Sequence, residues 1–229
     1  MDNSQPPFDT AVVDIDGTLL DSNYHHTLAW SRAFAHVGCD IPAWRIHRAI
    51  GMGGDRLVAA AAGEEVERQH GDAVRDRWEQ EFDALIDETT LLPGARDLLD
   101  GLAAAGLRVA LASSSIPKHA EHPLRLLGAD DRAAAWTTSE DADSTKPDPE
   151  LLERALDRLD GERRAVMIGD SVWDVEAASR AHLPTIGVRS GGFSEAELRE
   201  AGAVAVYDDP RDLLADLDQA LRNAAAGRS

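Results

Sequence analysis

Two carboxylates, Asp14 and Asp16, close the apolar run Ala11, Val12, Val13 and Ile15, with Gly17 and Thr18 directly behind them. Apolar residues that run on instead of alternating read as a strand buried on both faces. Two aspartates at the end of such a strand repel each other at the mouth of a low-dielectric core. The arrangement is tolerable if a positive group sits there, or if one carboxyl is needed as an acid. Three other stretches offer complementary groups. "VALASSS" ends in Ser113, Ser114 and Ser115, "STKPDPE" places Lys146 before Pro147, and "VMIGDSVWDVEAA" turns through Asp170 to Asp174. Singly, each has an ordinary explanation as a polar turn, a solvated lysine or a helix N-cap. Together they supply the hydroxyl, amine and carboxylate types that phosphoryl chemistry requires. Lys146 gains weight because Lys118 is the only other lysine in the chain.

These residues meet only if their strands lie side by side. Strand-like runs recur at 8–15, 107–113, 134–138, 164–169, 184–188 and 203–207. Helix-patterned stretches separate most of them. "LPGARDLLDGLAAAG" sets Leu98, Leu99, Leu102 and Ala105 on one face, with Gly106 as the expected C-terminal stop. "DPELLERALDRL" repeats the pattern with Leu151, Leu152, Ala155 and Leu159. The alternation predicts an α/β fold, a Rossmann-like parallel sheet with helices on both faces. Ligands of such sheets sit at the carboxyl ends of the strands. Residues 22 to about 90 break the alternation and read as helical throughout, in pieces at 23–38, 42–50, 53–62 and 64–88. The expected organisation is a core of residues 1–20 and 91–229, with an all-helical cap of residues 21–90 inserted after the first strand. Such an insert hangs over the site as a lid. Trp30, Trp44 and Trp78 are expected in the cap's own core.

The ordered set "DIDGTLLDS", Ser113, "KPDPE" and "GDSVWD" resembles the haloacid dehalogenase superfamily, specifically its phosphatase-like members with a helical cap. The likeness spans Asp14 to about Gly187. It implies that Asp14 is a nucleophile carrying an aspartyl-phosphate, and that Asp16 is the general acid/base. A neighbouring carboxylate is expected to raise the pKa of Asp16. Gly17 would allow a tight turn whose amides face phosphate oxygens, braced by Thr18. Asp170, with Asp14 and the main-chain carbonyl of Asp16, would hold Mg²⁺, and Asp174 would orient a water or Lys146. Ser113 and Ser114 would donate to the transferring phosphoryl group, and Lys146 would offset its charge.

The implied activity is Mg²⁺-dependent hydrolysis of a small phosphomonoester. The alternatives are a mutase resembling β-phosphoglucomutase and a non-catalytic binder of phosphorylated ligands. His26 stands where that mutase family has a histidine, but Gly54 stands where its cap has an arginine, with Arg56 two residues on. In this type of cap the "GMGGD" loop reaches over the site, so Arg56 and the Gly53 and Gly54 amides are candidate contacts to the leaving group. His47 and Arg48 are weaker ones. The partner implied is a small phosphorylated metabolite, bound by a monomer or homodimer.

Bulk properties narrow the field. The 229 residues include 23 Lys+Arg against 42 Asp+Glu, for a net charge of −19. Such a surface repels nucleic-acid backbones and anionic lipid. No apolar run approaches the roughly 18–20 residues of a membrane span. "MDNSQPPFDT" shows no secretory leader pattern. Cys39 is the single cysteine, which suits a reducing cytoplasm and reads as a small buried hydrophobe.

Overall fold

The unalternating apolar run at 10–13 becomes the central strand of the computed structural model, which describes residues 7–160 and 164–227. Residues 1–6 of the leader reading lie outside them, as do the outermost residues of the expected core. β1 (Thr10–Val13) is buried at every position. The other strands are β2 (Leu20–Asp21), β3 (Thr90–Leu91), β4 (Arg108–Ala112), β5 (Ala135–Thr137), β6 (Ala165–Gly169), β7 (Thr185–Val188) and β8 (Ala205–Tyr207). Six form one sheet in the order β5-β4-β1-β6-β7-β8, and every neighbouring pair is parallel. The pleat sends Ala11 and Val13 to one face and Val12 to the other. The first face packs on Leu98, Leu99 and Leu102, the second on Leu151, Leu152 and Ala177. Burying each such leucine contributes about 2 kcal/mol. The sheet is therefore a covered layer, and its polar residues are confined to strand ends.

Four helices lie in the chain between β2 and β3: α1 (Asn23–His36), α2 (Ala43–His47), α3 (Gly54–Ala62) and α4 (Glu64–Asp83). They enclose a second core built on Trp30, Phe34, Val74, Trp78 and Phe82. Trp30 and Trp78 stack with ring centroids 4.7 Å apart. Trp44 is not part of it and is 68 % exposed, because α2 has only five residues and buries Ile46 alone. Cys39 is only half-buried at the edge of this core.

The expected helix to residue 88 ends at Asp83. A 3-10 turn at Ile86–Glu88 follows, leading into an unexpected antiparallel pair, Leu20 opposite Leu91 and Asp21 opposite Thr90. Two-residue strands are too short to show periodicity, and their partner lies about seventy residues away, so no local signal marks them. No helix among the described residues is long and apolar enough to cross a membrane.

Candidate active site

The strand ends deliver the groups. Asp14 follows β1, and its amide donates to the Ile168 carbonyl on β6 at 3.0 Å. The next loop is self-contained: the Gly17 amide donates to the Leu20 carbonyl (2.8 Å), and the Thr18 and Leu19 amides donate to that of Ile15 (3.3 and 2.8 Å). The Gly17 and Thr18 amides are therefore spent inside the turn and do not face a phosphate, contrary to the sequence expectation. Gly17 is needed for another reason. Its φ is +84°, and a Cβ there would lie 2.4 Å from Asn23 Nδ2 and 2.5 Å from Asp170 Oδ2. β4 runs into Ser113–Ser115, and β6 runs into Asp170. Ser171 then caps the helix Val172–Arg180, accepting from the Asp174 amide while its own hydroxyl donates to Asp174 Oδ2 at 2.6 Å.

Lys146 is 1 % exposed. Its Nζ contacts Asp14 Oδ1, reaches Asp174 Oδ1 at 2.8 Å and donates to the Ala112 carbonyl at 3.1 Å. Asp174 is thus held by Lys146 and Ser171. Asp14, Asp170 and Asp174 each offer an oxygen within 4.8 Å of the others. Thr18 Oγ1 lies 3.1 Å from Asp14 and 2.9 Å from Asp170, tying the two carboxylates together.

One lysine cannot neutralise three buried carboxylates. Burial works against the Lys146 charge, but Asp14 and Asp174 outweigh it and hold the amine charged well beyond its usual range. The excess negative charge falls on the other two groups. Burial pushes Asp14 up to about 7, with Asp174 and Asp16 adding to the rise against the pull of Lys146. Asp170 is also pushed well up, by burial and by Asp174 and Asp14. A buried all-oxygen cluster with surplus negative charge fits a hard divalent cation such as Mg²⁺, and with Asp174 held by Lys146 and Ser171, Asp14 and Asp170 are the carboxylates that would hold one.

Asp16 stands apart from this cluster, in the opposite environment. Its Oδ1 accepts from Ser22 (2.7 Å) and faces His26 Nε2 (3.3 Å), and its Oδ2 accepts from Ser115 (3.0 Å) and Ser113 (3.3 Å). Burial favours the neutral form, yet the His26 hydrogen bond and charge, with Ser22 and Ser115, outweigh it. They hold this carboxyl well below the usual range. The expected upward displacement is thus reversed. Donors to the ionised form outweigh the neighbouring carboxylate.

The cap closes the other side. Ile50, Met52, Leu57, Trp30 and Trp78 wall a pocket over Asp14 and Asp16, together with His26 and the Gly51–Gly54 loop. Gly54 lines it, but the Gly53 amide donates to Thr145 Oγ1 at 2.9 Å and is not available to a ligand. Ser114 Oγ donates to the Gly51 carbonyl at 3.2 Å. The Arg56 side chain does not line the pocket. It is 41 % exposed and lies 3.8 Å from both Asp55 and Asp148. His47 Nε2 lies 3.0 Å from the Gly191 carbonyl, and Arg48 pairs with Glu197, and neither lines the pocket.

Asn23, Ser22 and Thr145 escape sequence reasoning, which reads Ser115 only as part of the strand-end serine run. Asn23 Nδ2 donates to Asp170 Oδ2 (3.0 Å) and the Gly191 carbonyl (3.1 Å). Ser22 and Ser115 serve Asp16, and Thr145 joins cap to core through Gly53 and Asp55. Ser22 and Asn23 stand at the start of α1, where such residues read as caps.

Residues 8–182 match the family model for haloacid dehalogenase-like hydrolases. A phosphoglycolate phosphatase of Agrobacterium fabrum is 29 % identical over 217 residues, 90 % of this chain and 91 % of that one. An N-acetylmuramic acid 6-phosphate phosphatase of Pseudomonas aeruginosa is 29 % identical over 215 residues, 91 % of this chain and 94 % of that one. The crystal structure of a hydrolase from Pseudomonas syringae superposes with a TM-score of 0.85 at 33 % identity, covering 92 % of this chain and 98 % of its own.

Proposed function

The chain belongs to the haloacid dehalogenase-like hydrolases, as a phosphatase-type enzyme, and on that premise we propose that it hydrolyses a small phosphomonoester through an aspartyl-phosphate on Asp14. The observation that carries this reading is the contrast between two carboxylates two residues apart. Asp14 sits against Lys146 and the acidic cluster, whereas Asp16 sits among hydroxyls and an imidazole.

In the first step an Asp14 carboxylate oxygen attacks phosphorus and the bond to the leaving oxygen breaks. The leaving oxygen takes a proton from Asp16. The donors around Asp16 keep it ionised in the free protein, and a phosphate arriving beside it adds like charge that raises its pKa. In the second step Asp16, again a carboxylate, removes a proton from water. That water attacks phosphorus, the bond to Asp14 breaks, and inorganic phosphate leaves. Lys146 offsets charge on Asp14 throughout, and Ser113 and Ser114, whose hydroxyls bond Asp16 and the Gly51 carbonyl in the free protein, would turn to the phosphoryl oxygens. Held by Asp14 and Asp170, Mg²⁺ would supply further positive charge toward those oxygens. Helices α1–α4 serve as the lid, connected to the core through the β2–β3 pair.

A mutase must also grip a second phosphate. The pocket over Asp14 has no arginine or lysine in its lining, which favours hydrolysis. Phosphate release from a panel including 2-phosphoglycolate and p-nitrophenyl phosphate tests the reading. Activity should require Mg²⁺, stop with EDTA and be abolished by Asp14→Asn. Faster conversion of β-glucose 1-phosphate to glucose 6-phosphate than phosphate release would make the enzyme a mutase. Tight phosphoester binding with no turnover would make it a binding protein.

A further inference from the structure

The pocket over Asp14 encloses about 40 Å³, and its organic wall is apolar: Trp30, Ile50, Met52, Leu57 and Trp78. The only side chain in it able to carry positive charge is His26, whose Nε2 already faces Asp16. Past Gly54, Trp78 and Ser114 it adjoins a second chamber of about 280 Å³, which those three residues also line. This outer chamber carries Asp55, Asp76, Glu79 and Asp143 against a single cation, Arg75. Arg75 is committed to Glu67 and Asp72 at 2.9 Å each, and to the Gly54 carbonyl at 3.1 Å. Other cations outside the two linings are engaged as well. Lys118 pairs with Glu79 and Asp83, Arg56 with Asp55 and Asp148, and Arg48 with Glu197.

A leaving group bearing its own anion would therefore lie first against apolar walls and then among carboxylates. An unpaired charge taken from water into such surroundings is disfavoured. An uncharged alcohol loses nothing of the kind, and its carbon skeleton gains contact with Trp78, Met52 and Leu57. Accepting the phosphatase reading above, we propose that the substrate is a phosphomonoester whose leaving group is an uncharged alcohol with an apolar face. A second carboxylate or phosphate is selected against. This sets the chain apart from its relatives named for phosphoglycolate and N-acetylmuramic acid 6-phosphate, both of which carry a carboxylate besides the phosphate.

The test uses the Mg²⁺-loaded enzyme and a matched pair, 2-hydroxyethyl phosphate and 2-phosphoglycolate, which differ by a hydroxymethyl in place of a carboxylate. The expected kcat/KM favours the uncharged ester by about tenfold to a hundredfold, the cost of leaving one buried charge unpaired. Met52→Lys, which places a cation in the pocket wall, should shrink or invert that ratio. Equal or faster turnover of 2-phosphoglycolate by the unaltered enzyme would overturn the proposal while leaving the phosphatase reading intact. Absence of phosphate release from both esters leaves the phosphatase reading to the wider panel, p-nitrophenyl phosphate included, where absence of release throughout would overturn it. Titration calorimetry of the two esters into Asp14→Asn with Mg²⁺ would then decide the preference by binding alone. Tighter binding of 2-hydroxyethyl phosphate supports the proposal, and equal or tighter binding of 2-phosphoglycolate overturns it.

Discussion

Replacing Asp14 by asparagine should destroy activity and, without metal, strengthen the fold. Asparagine has nearly the same shape, and its oxygen can still accept from Lys146, which also keeps Asp174 at 2.8 Å and the Ala112 carbonyl at 3.1 Å. The substitution therefore removes charge with little change in packing. Burial and the neighbouring carboxylates raise Asp14 from 3.8 to about 7. An acid whose folded pKa is raised binds its proton more tightly when folded. The native state then loses stability as pH climbs from about 4 through 7, and the loss is complete above 7. At about 1.4 kcal/mol per pKa unit, the cost of holding Asp14 ionised at pH 8 is at most roughly 4 kcal/mol. Relaxation and water entry give buried sites an effective dielectric nearer 20 than 4, so a net gain of about 2 kcal/mol is the working figure. Asparagine does not titrate, so the gap between variant and parent should open between pH 4 and 7 and stay flat above. Urea denaturation in EDTA at pH 4.5, 6 and 8, followed by tryptophan fluorescence, measures it. Added Mg²⁺ should stabilise the parent more than the variant and close the gap. A variant less stable than the parent at pH 8, or a gap independent of pH, would refute the account of the acidic cluster.

Two further outcomes follow from hydrogen bonds at Asp16 and at the cap. Ser115→Ala removes a 3.0 Å donor to Asp16, whose pKa is held down by such donors. On the proposed mechanism Asp16 must be ionised to activate water, so the acid limb of the pH–kcat profile should move to higher pH by up to about one unit. An unmoved limb would show that Ser115 does not tune the base. Thr145→Val leaves the buried Gly53 amide without its acceptor and removes the hydroxyl's bond to Asp55, at about 1–3 kcal/mol. Hydrogen exchange across 51–56 should quicken and KM should rise several-fold. Unchanged exchange there would mean that Thr145 does not seat the loop.

The sheet was legible because its physics is local. A strand buried on both faces must be apolar throughout, so Val12 and Val13 announced β1, and Ile168 announced β6, without any knowledge of their neighbours. The same locality explains the failures. Leu20–Asp21 and Thr90–Leu91 pair across the whole helical insert, and two residues carry no period. Trp44 counted as core by residue type alone, whereas exposure is decided by how much surface a five-residue helix can turn inward.

At the site, the identity of the charged residues could be read from the chain, but their protonation could not. Asp14 and Asp16 look alike in sequence, and mutual repulsion alone suggests that Asp16 should be the carboxyl pushed up. The fold assigns the burden the other way. Asp14 lies beside two more buried carboxylates with one lysine among them, while Asp16 collects Ser22, Ser115, Ser113 and His26. Three of those donors come from positions six to ninety-nine residues away, and nothing in the sequence says that they serve Asp16. His26, with the hydroxyls beside it, holds this pKa down, because a carboxylate that accepts several hydrogen bonds is stabilised in its charged form. On the proposed mechanism, the Asp16 that meets water in the second step is therefore already a base, and its turn as an acid depends on charge the substrate brings with it. A ligand that bears its phosphate as a monoanion should accordingly protonate Asp16 less than a dianion does, and the rate of the first step should follow ionisation of the substrate's phosphate. A single-turnover pH profile that ignores that ionisation would return the proton's source to the protein.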